Sequence, residues 1–270
     1  MDLTVILALF TFLLWIIIID SLLLGIFLLI KAYQVKFISL YTIGIAYILF
    51  FIGLFGNFVL GYSYFFQLLF VAIGYFLLSV FTYLTFHKQK GNYQAKLLLC
   101  LLLVLMFARI TLALMVEINL NPVTRYSERI ILNCYNFLVF YWLGWSSFST
   151  YKRLRDSEVA PWIKTRYKTI YIVSFLWPFH VLIGIFIMPW NVEFGDPSNL
   201  FSFIQFVITV ILDLIFILGM SVAWIIPKKL KNYLNRKKGY KPSEDRELSE
   251  DQLMKLIMDQ LKEDINHGND

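Results

Sequence analysis

Histidine and cysteine are scarce in this chain of 270 residues, at three and two. His87, His180 and His267 stand far apart, so no cluster of the kind that holds a catalytic metal forms in the sequence, and no metal site is expected. Nor are there paired histidines to grip a haem from both sides. Cys100 and Cys134 fall in different apolar runs at different depths, so no disulfide between them is expected. An Asp-rich box for magnesium diphosphate is missing. So are a Gly-rich phosphate loop and a serine set beside a histidine as a nucleophile would be. With no site to argue from, no catalytic residue is named and enzymatic activity is not expected.

Charge is also thin, at 16%, and it is unevenly spread. The chain is 59% hydrophobic with a mean hydropathy of +0.70, more apolar surface than a soluble domain of this length could bury. Seven apolar runs approach or exceed the roughly 20 residues that cross a bilayer as a helix. They cover about Leu3 to Ile30, Phe37 to Leu60, Phe65 to Phe86, Leu97 to Leu120, Ile130 to Tyr151, Ile170 to Trp190 and Leu200 to Ile226. None contains a lysine. Basic residues gather in the gaps after the first, third and fifth runs, above all from Lys152 to Lys168, and after the seventh. The positive-inside rule then places the N-terminus outside and the C-terminus in the cytoplasm. The expected fold is all-α, a polytopic seven-transmembrane-helix bundle over residues 1–227 with a cytoplasmic tail over 228–270. Trp190 and Trp224 stand where interface anchors stand. In the second run, Gly53, Asn57 and Gly61 recur every fourth residue and read as a small-residue packing face.

Ionisable groups inside spans are costly, so each is expected to face the bundle interior and to have a partner. At about 1.5 Å of rise per residue, Arg109, His180 and Asp213 come out near the same depth on three different spans. They read as a polar centre that binds a ligand or relays a proton. The structural alternative is an Arg109–Asp213 ion pair with His180 bonded to a carbonyl near Pro178. Pro178 breaks the sixth span and is a candidate hinge. Asp20 is a weaker candidate, with Ser221 at similar depth as a hydrogen-bond partner. The aromatics of the fifth span read as core.

The tail opens with Lys228, Lys229, Lys231, Arg236, Lys237 and Lys238 around Leu230, Tyr233 and Leu234 at helical spacing. That pattern suits a helix lying on anionic inner-leaflet lipid. After a break near Pro242, a capping box at Ser249–Gln252 precedes an apolar stripe to Ile265, a second amphipathic segment. A cytoplasmic protein partner could dock on 152–168 and 249–265. The positive net charge is explained by topology, and no nucleic acid is expected.

Leu176-Trp177-Pro178 in the sixth span, with Leu212-Asp213 and Leu218-Gly219 in the seventh, resembles the last two helices of microbial rhodopsins. Leu176 to His180 is similar to the sixth helix of G-protein-coupled receptors. The resemblance implies a seven-helix shape. The rhodopsins' Schiff-base lysine would stand one turn after Asp213, where this chain has Ile217, so a covalent retinal is excluded and no cofactor is expected. The resulting expectation is a multi-pass plasma-membrane protein of sensor or receptor type, with a small-solute or proton-coupled transporter, or a membrane scaffold, as alternatives.

Overall fold

The computed structural model describes residues 3–88, 92–118, 121–155, 159–180 and 198–237. Among these residues the fold is all-α. The helices are α1 (Leu3–Val35), α2 (Ile38–Phe58), α3 (Tyr64–Phe86), α4 (Tyr93–Ile118), α5 (Pro122–Arg155), α6 (Pro161–Leu176), α7 (Leu200–Trp224) and α8 (Lys228–Lys237). Five of them (α1, α2, α3, α4 and α7) are long and apolar enough to cross a membrane, which marks a membrane-embedded chain. Their ends follow local chemistry. Ser63 caps α3 by accepting from the Phe66 N–H, and Asn199 caps α7 by accepting from the Ser202 N–H. Pro122 and Pro161 sit in the first turns of α5 and α6, where a missing N–H is harmless.

Each of α1 to α7 packs on its neighbour in sequence, α7 closes back onto α1, and α3 touches α5 across the middle. The ring is tight where glycine allows it. A Cβ on Gly74 would lie 2.3 Å from the Phe50 ring, and one on Gly219 2.4 Å from a Val173 methyl. Consecutive helices run antiparallel. One end of the bundle therefore carries the starts of α3, α5 and α7 with the finish of α4, while α6 stops part-way, where Trp177 meets Asp213 in the middle of α7. The other end carries α8 and most of the basic residues, with Arg109, Arg125 and Arg129 as exceptions among the described residues.

Several boundaries differ from the sequence reading. α1 runs on to Val35, with Lys31 inside it and its ammonium over the Phe27 ring. Most of the described part of 152–168 is helical and not loop. Lys152, Arg153 and Arg155 form the last turn of α5, where cations meet the negative helix end, and Lys164, Arg166 and Lys168 belong to α6. The small-residue face of α2 is Gly53 with Gly56, both against α3. Asn57 instead donates to the Tyr62 carbonyl, and Gly61 makes the turn at a φ of 70°. Trp224 is not an interface anchor: it is buried against Phe81 and Arg166. Trp190, the second half of the sixth apolar run, Lys238 and the segment 249–265 lie outside the described residues.

Candidate functional site

α6 stops at Leu176, and the chain turns at Trp177–Pro178 before resuming helical geometry at Phe179–His180. Pro178 has no N–H to offer the carbonyl four residues back, which accounts for the break. The turn is pinned from several sides. The Trp177 indole N–H donates to Asp213 Oδ1 of α7 at 2.6 Å. Its ring stacks on Phe140 at 3.8 Å between centroids and meets Tyr75 edge-on at 5.7 Å. His180 Nδ1 lies 2.7 Å from the Trp177 carbonyl; a carbonyl only accepts, so Nδ1 carries the proton. Gln205 of α7 donates through Nε2 to the His180 carbonyl at 3.1 Å.

Beside this turn lies a cavity of about 180 Å³. α3 lines it with Tyr64, Gln67, Val71 and Tyr75, α4 with Arg109, and α5 with Glu128, Arg129, Leu132, Asn133 and Asn136. Trp177 and His180 form a third side, and Gln205, Thr209 and Asp213 of α7 complete it. Arg109, His180 and Asp213 thus share one cavity at the end of the bundle away from α8. Asp20 is not part of it. It accepts from the Ser221 hydroxyl at 2.7 Å, tying α1 to α7 as its depth implied.

Arg109 and Asp213 do not pair. Arg109 Nη1 donates to Asn136 Oδ1 at 3.2 Å, with its guanidinium 5.9 Å from the Tyr75 ring centre and 5.8 Å from that of Tyr135. The Tyr135 hydroxyl in turn donates to the Ala72 carbonyl. Asp213 is held by Trp177 instead. The two residues share a depth but lie on α4 and α7, which are not neighbours in the ring, and Tyr75 of α3 stands near both.

Three buried polar atoms on this wall have no hydrogen-bond partner among the described residues: Arg109 Nε, Glu128 Oε1 and Gln205 Oε1. Their residues are 3%, 8% and 5% exposed. Leaving such an atom unpaired costs about 1–3 kcal/mol, so three on residues that line one cavity need explaining. Glu128 was missed in the sequence because the apolar run begins at Ile130. The signal was periodic: Glu128, Leu132, Tyr135, Asn136, Val139 and Leu143 share one helical face once α5 is extended back to Pro122.

A second cavity of about 100 Å³ shares Gln67, Val71, Tyr75, Trp177 and Asp213 with the first and continues towards Tyr47 and Ile17. At the opposite end, a cavity of about 210 Å³ is lined by His87, Ser146 and Arg153. Sequence spacing did not bring Ser146 and His87 together, yet Ser146 Oγ lies 2.9 Å from His87 Nε2. That nitrogen already accepts from the Trp142 indole at 3.1 Å, so its lone pair is engaged and the contact reads as a tie between α3 and α5. The same end is locked by Arg166, which donates to the Ala223 carbonyl at 3.0 Å with Trp162 and Trp224 each 5.0 Å from its guanidinium. α8 packs there too, with Leu234 against the apolar cluster and the Lys231 ammonium 4.3 Å from the Trp162 ring centre. Lys229 and Arg236 are exposed.

No protein-family model, no curated protein and no solved structure matches this chain.

Proposed function

We propose that the chain is a seven-span receptor-type protein of the plasma membrane, without enzymatic activity, that binds a small polar solute in the cavity around Arg109 and Glu128. Its N-terminus lies outside, its C-terminus in the cytoplasm, and the cavity opens to the exterior. α5 and the segment begun by α6 supply the two spans beyond the five apolar helices. The observation that carries the reading is the set of three unpartnered buried polar atoms around that cavity.

The signal runs along α6. Its 16 residues span about 24 Å, from Trp177 at the cavity to Trp162 and Arg166 at the basic end. A solute that displaces the Trp177–His180 turn tilts α6 about the Pro178 break and strains the Arg166 clamp on α7, a two-position device of the helix-shift kind. α8, resting on α6 and on anionic lipid through Lys229 and Arg236, reports the change to a cytoplasmic partner. The similarity of the last two spans to microbial rhodopsins supports the seven-helix shape and carries no retinal, since Ile217 occupies the lysine position. The second cavity, separated from the first by a shared wall that includes Tyr75, Trp177 and Asp213, favours a transporter as the second reading. Purified protein in liposomes separates the two. A solute that raises the melting temperature without crossing the membrane supports the receptor; solute or proton flux supports the transporter.

A further inference from the structure

Arg109 is arranged like a residue waiting for an oxyanion. Asn136 holds Nη1, and the ring centres of Tyr75 and Tyr135 stand 5.9 and 5.8 Å from the guanidinium. The edge left over is Nε with Nη2, the side-on fork that fits a carboxylate with two parallel hydrogen bonds. Nε is buried and has no partner among the described residues. The other unpartnered atoms are of the opposite kind, since Glu128 Oε1 and Gln205 Oε1 are acceptors. The orientation of Gln205 is fixed because its Nε2 donates to the His180 carbonyl.

The chemistry of the wall selects against a ligand of one sign. A simple anion would satisfy Arg109 and face Glu128 with nothing to give it. A simple cation would satisfy Glu128 and meet a buried guanidinium. The lining charges are themselves balanced, Arg109 and Arg129 against Glu128 and Asp213. At about 180 Å³ the cavity is smaller than the roughly 300–1,000 Å³ of drug-sized ligand sites, so the ligand has few heavy atoms.

We infer that this cavity binds a small zwitterion, an amino-carboxylate whose acid group lies on the Arg109 fork and whose ammonium group lies against Glu128 and Gln205. The inference rests on the reading of the cavity as a solute site and adds the ligand class. Because Arg109 is held before the ligand arrives, little order has to be imposed on binding.

The test uses the full-length protein in lipid nanodiscs and follows its melting temperature. Glycine, β-alanine and 4-aminobutyrate vary the distance between the two charges; propionate and propylamine each present one charge alone. At least one zwitterion is expected to raise the melting temperature while neither single-charge probe does so at the same concentration. Glu128→Gln and Arg109→Lys are each expected to weaken that zwitterion roughly tenfold or more. Unliganded melts and size-exclusion profiles show whether either variant is folded, and the wild-type probe comparison decides the matter if it is not. Propionate acting as well as the zwitterions, or a folded Glu128→Gln that binds them unchanged, overturns the inference. So does the absence of any shift with all three zwitterions. In that last case, a shift with some other small solute leaves the receptor reading standing, whereas no shift with any solute removes both.

Discussion

Replacing Trp177 with phenylalanine deletes one N–H and keeps most of the ring. In the structure that N–H is the hydrogen bond to Asp213 Oδ1 at 2.6 Å, and Asp213 makes no other among the described residues. A bond to a carboxylate contributes about 1.5–3 kcal/mol, and the residue left behind is half-buried. The smaller ring also loses part of its stack on Phe140, an interaction of about 0.5–1.5 kcal/mol. Trp177→Phe should therefore destabilise the protein by about 2–4 kcal/mol. Asp213→Asn retains an acceptor oxygen, and a neutral bond is roughly half as strong as a charge-assisted one, so its cost should be about 1 kcal/mol. Asp213→Leu removes the acceptor and should approach the cost of Trp177→Phe. The double variant Trp177→Phe/Asp213→Leu should recover about 1.5–3 kcal/mol relative to the sum of the singles, because both ends of one bond are gone. Arg109→Leu combined with Asp213→Leu should be additive, since those residues hold different partners. The assay is unfolding of the purified protein in detergent, monitored by tryptophan fluorescence and by circular dichroism. Asp213→Asn as damaging as Trp177→Phe, together with coupling between Arg109 and Asp213, would refute the reasoning and restore a direct ion pair.

Two further outcomes are expected. Gly219→Ala should destabilise by about 1–3 kcal/mol, because its Cβ would lie 2.4 Å from a short Val173 methyl, whereas Gly61→Ala meets nothing within 4 Å and should cost about 1 kcal/mol for its φ of 70° alone; denaturation midpoints check both. Charge reversal at exposed Lys229 and Arg236 should weaken binding of α8 to phosphatidylserine bilayers in a salt-dependent way, read by fluorescence of a probe on α8 in nanodiscs with and without the anionic lipid.

The apolar runs made the helices legible, because a hydrocarbon solvent demands internally bonded backbone and long apolar faces. Their ends were less so. α5 gains eight residues before Ile130 and four after Tyr151 through polar turns that hydropathy does not register, and with the first of these the sequence reading lost Glu128. Depth along a span was readable, and it sufficed for Asp20 and Ser221 because α1 and α7 are neighbours in the ring. The same arithmetic put Arg109 and Asp213 at one height and so in one cavity. It could not say that α3 and α5 stand between α4 and α7, because depth carries no information about direction around a helix axis. The Ser146–His87–Trp142 tie was hidden for a related reason: His87 lies just past the end of α3, where sequence shows only the start of a basic gap.

The claim on which the rest depends is that the polar cavity opens to the outside of the cell while the Arg166 clamp and α8 face the cytoplasm. In a background with Cys100 and Cys134 replaced by alanine, single cysteines at Ser63 in the α2–α3 turn, at Thr209 on the cavity wall and at Arg155 at the end of α5 report it directly. With a membrane-impermeant maleimide on intact cells, Ser63→Cys and Thr209→Cys should label and Arg155→Cys should label only after permeabilisation. Labelling of Arg155→Cys in intact cells, with Ser63→Cys and Thr209→Cys protected, would contradict the account.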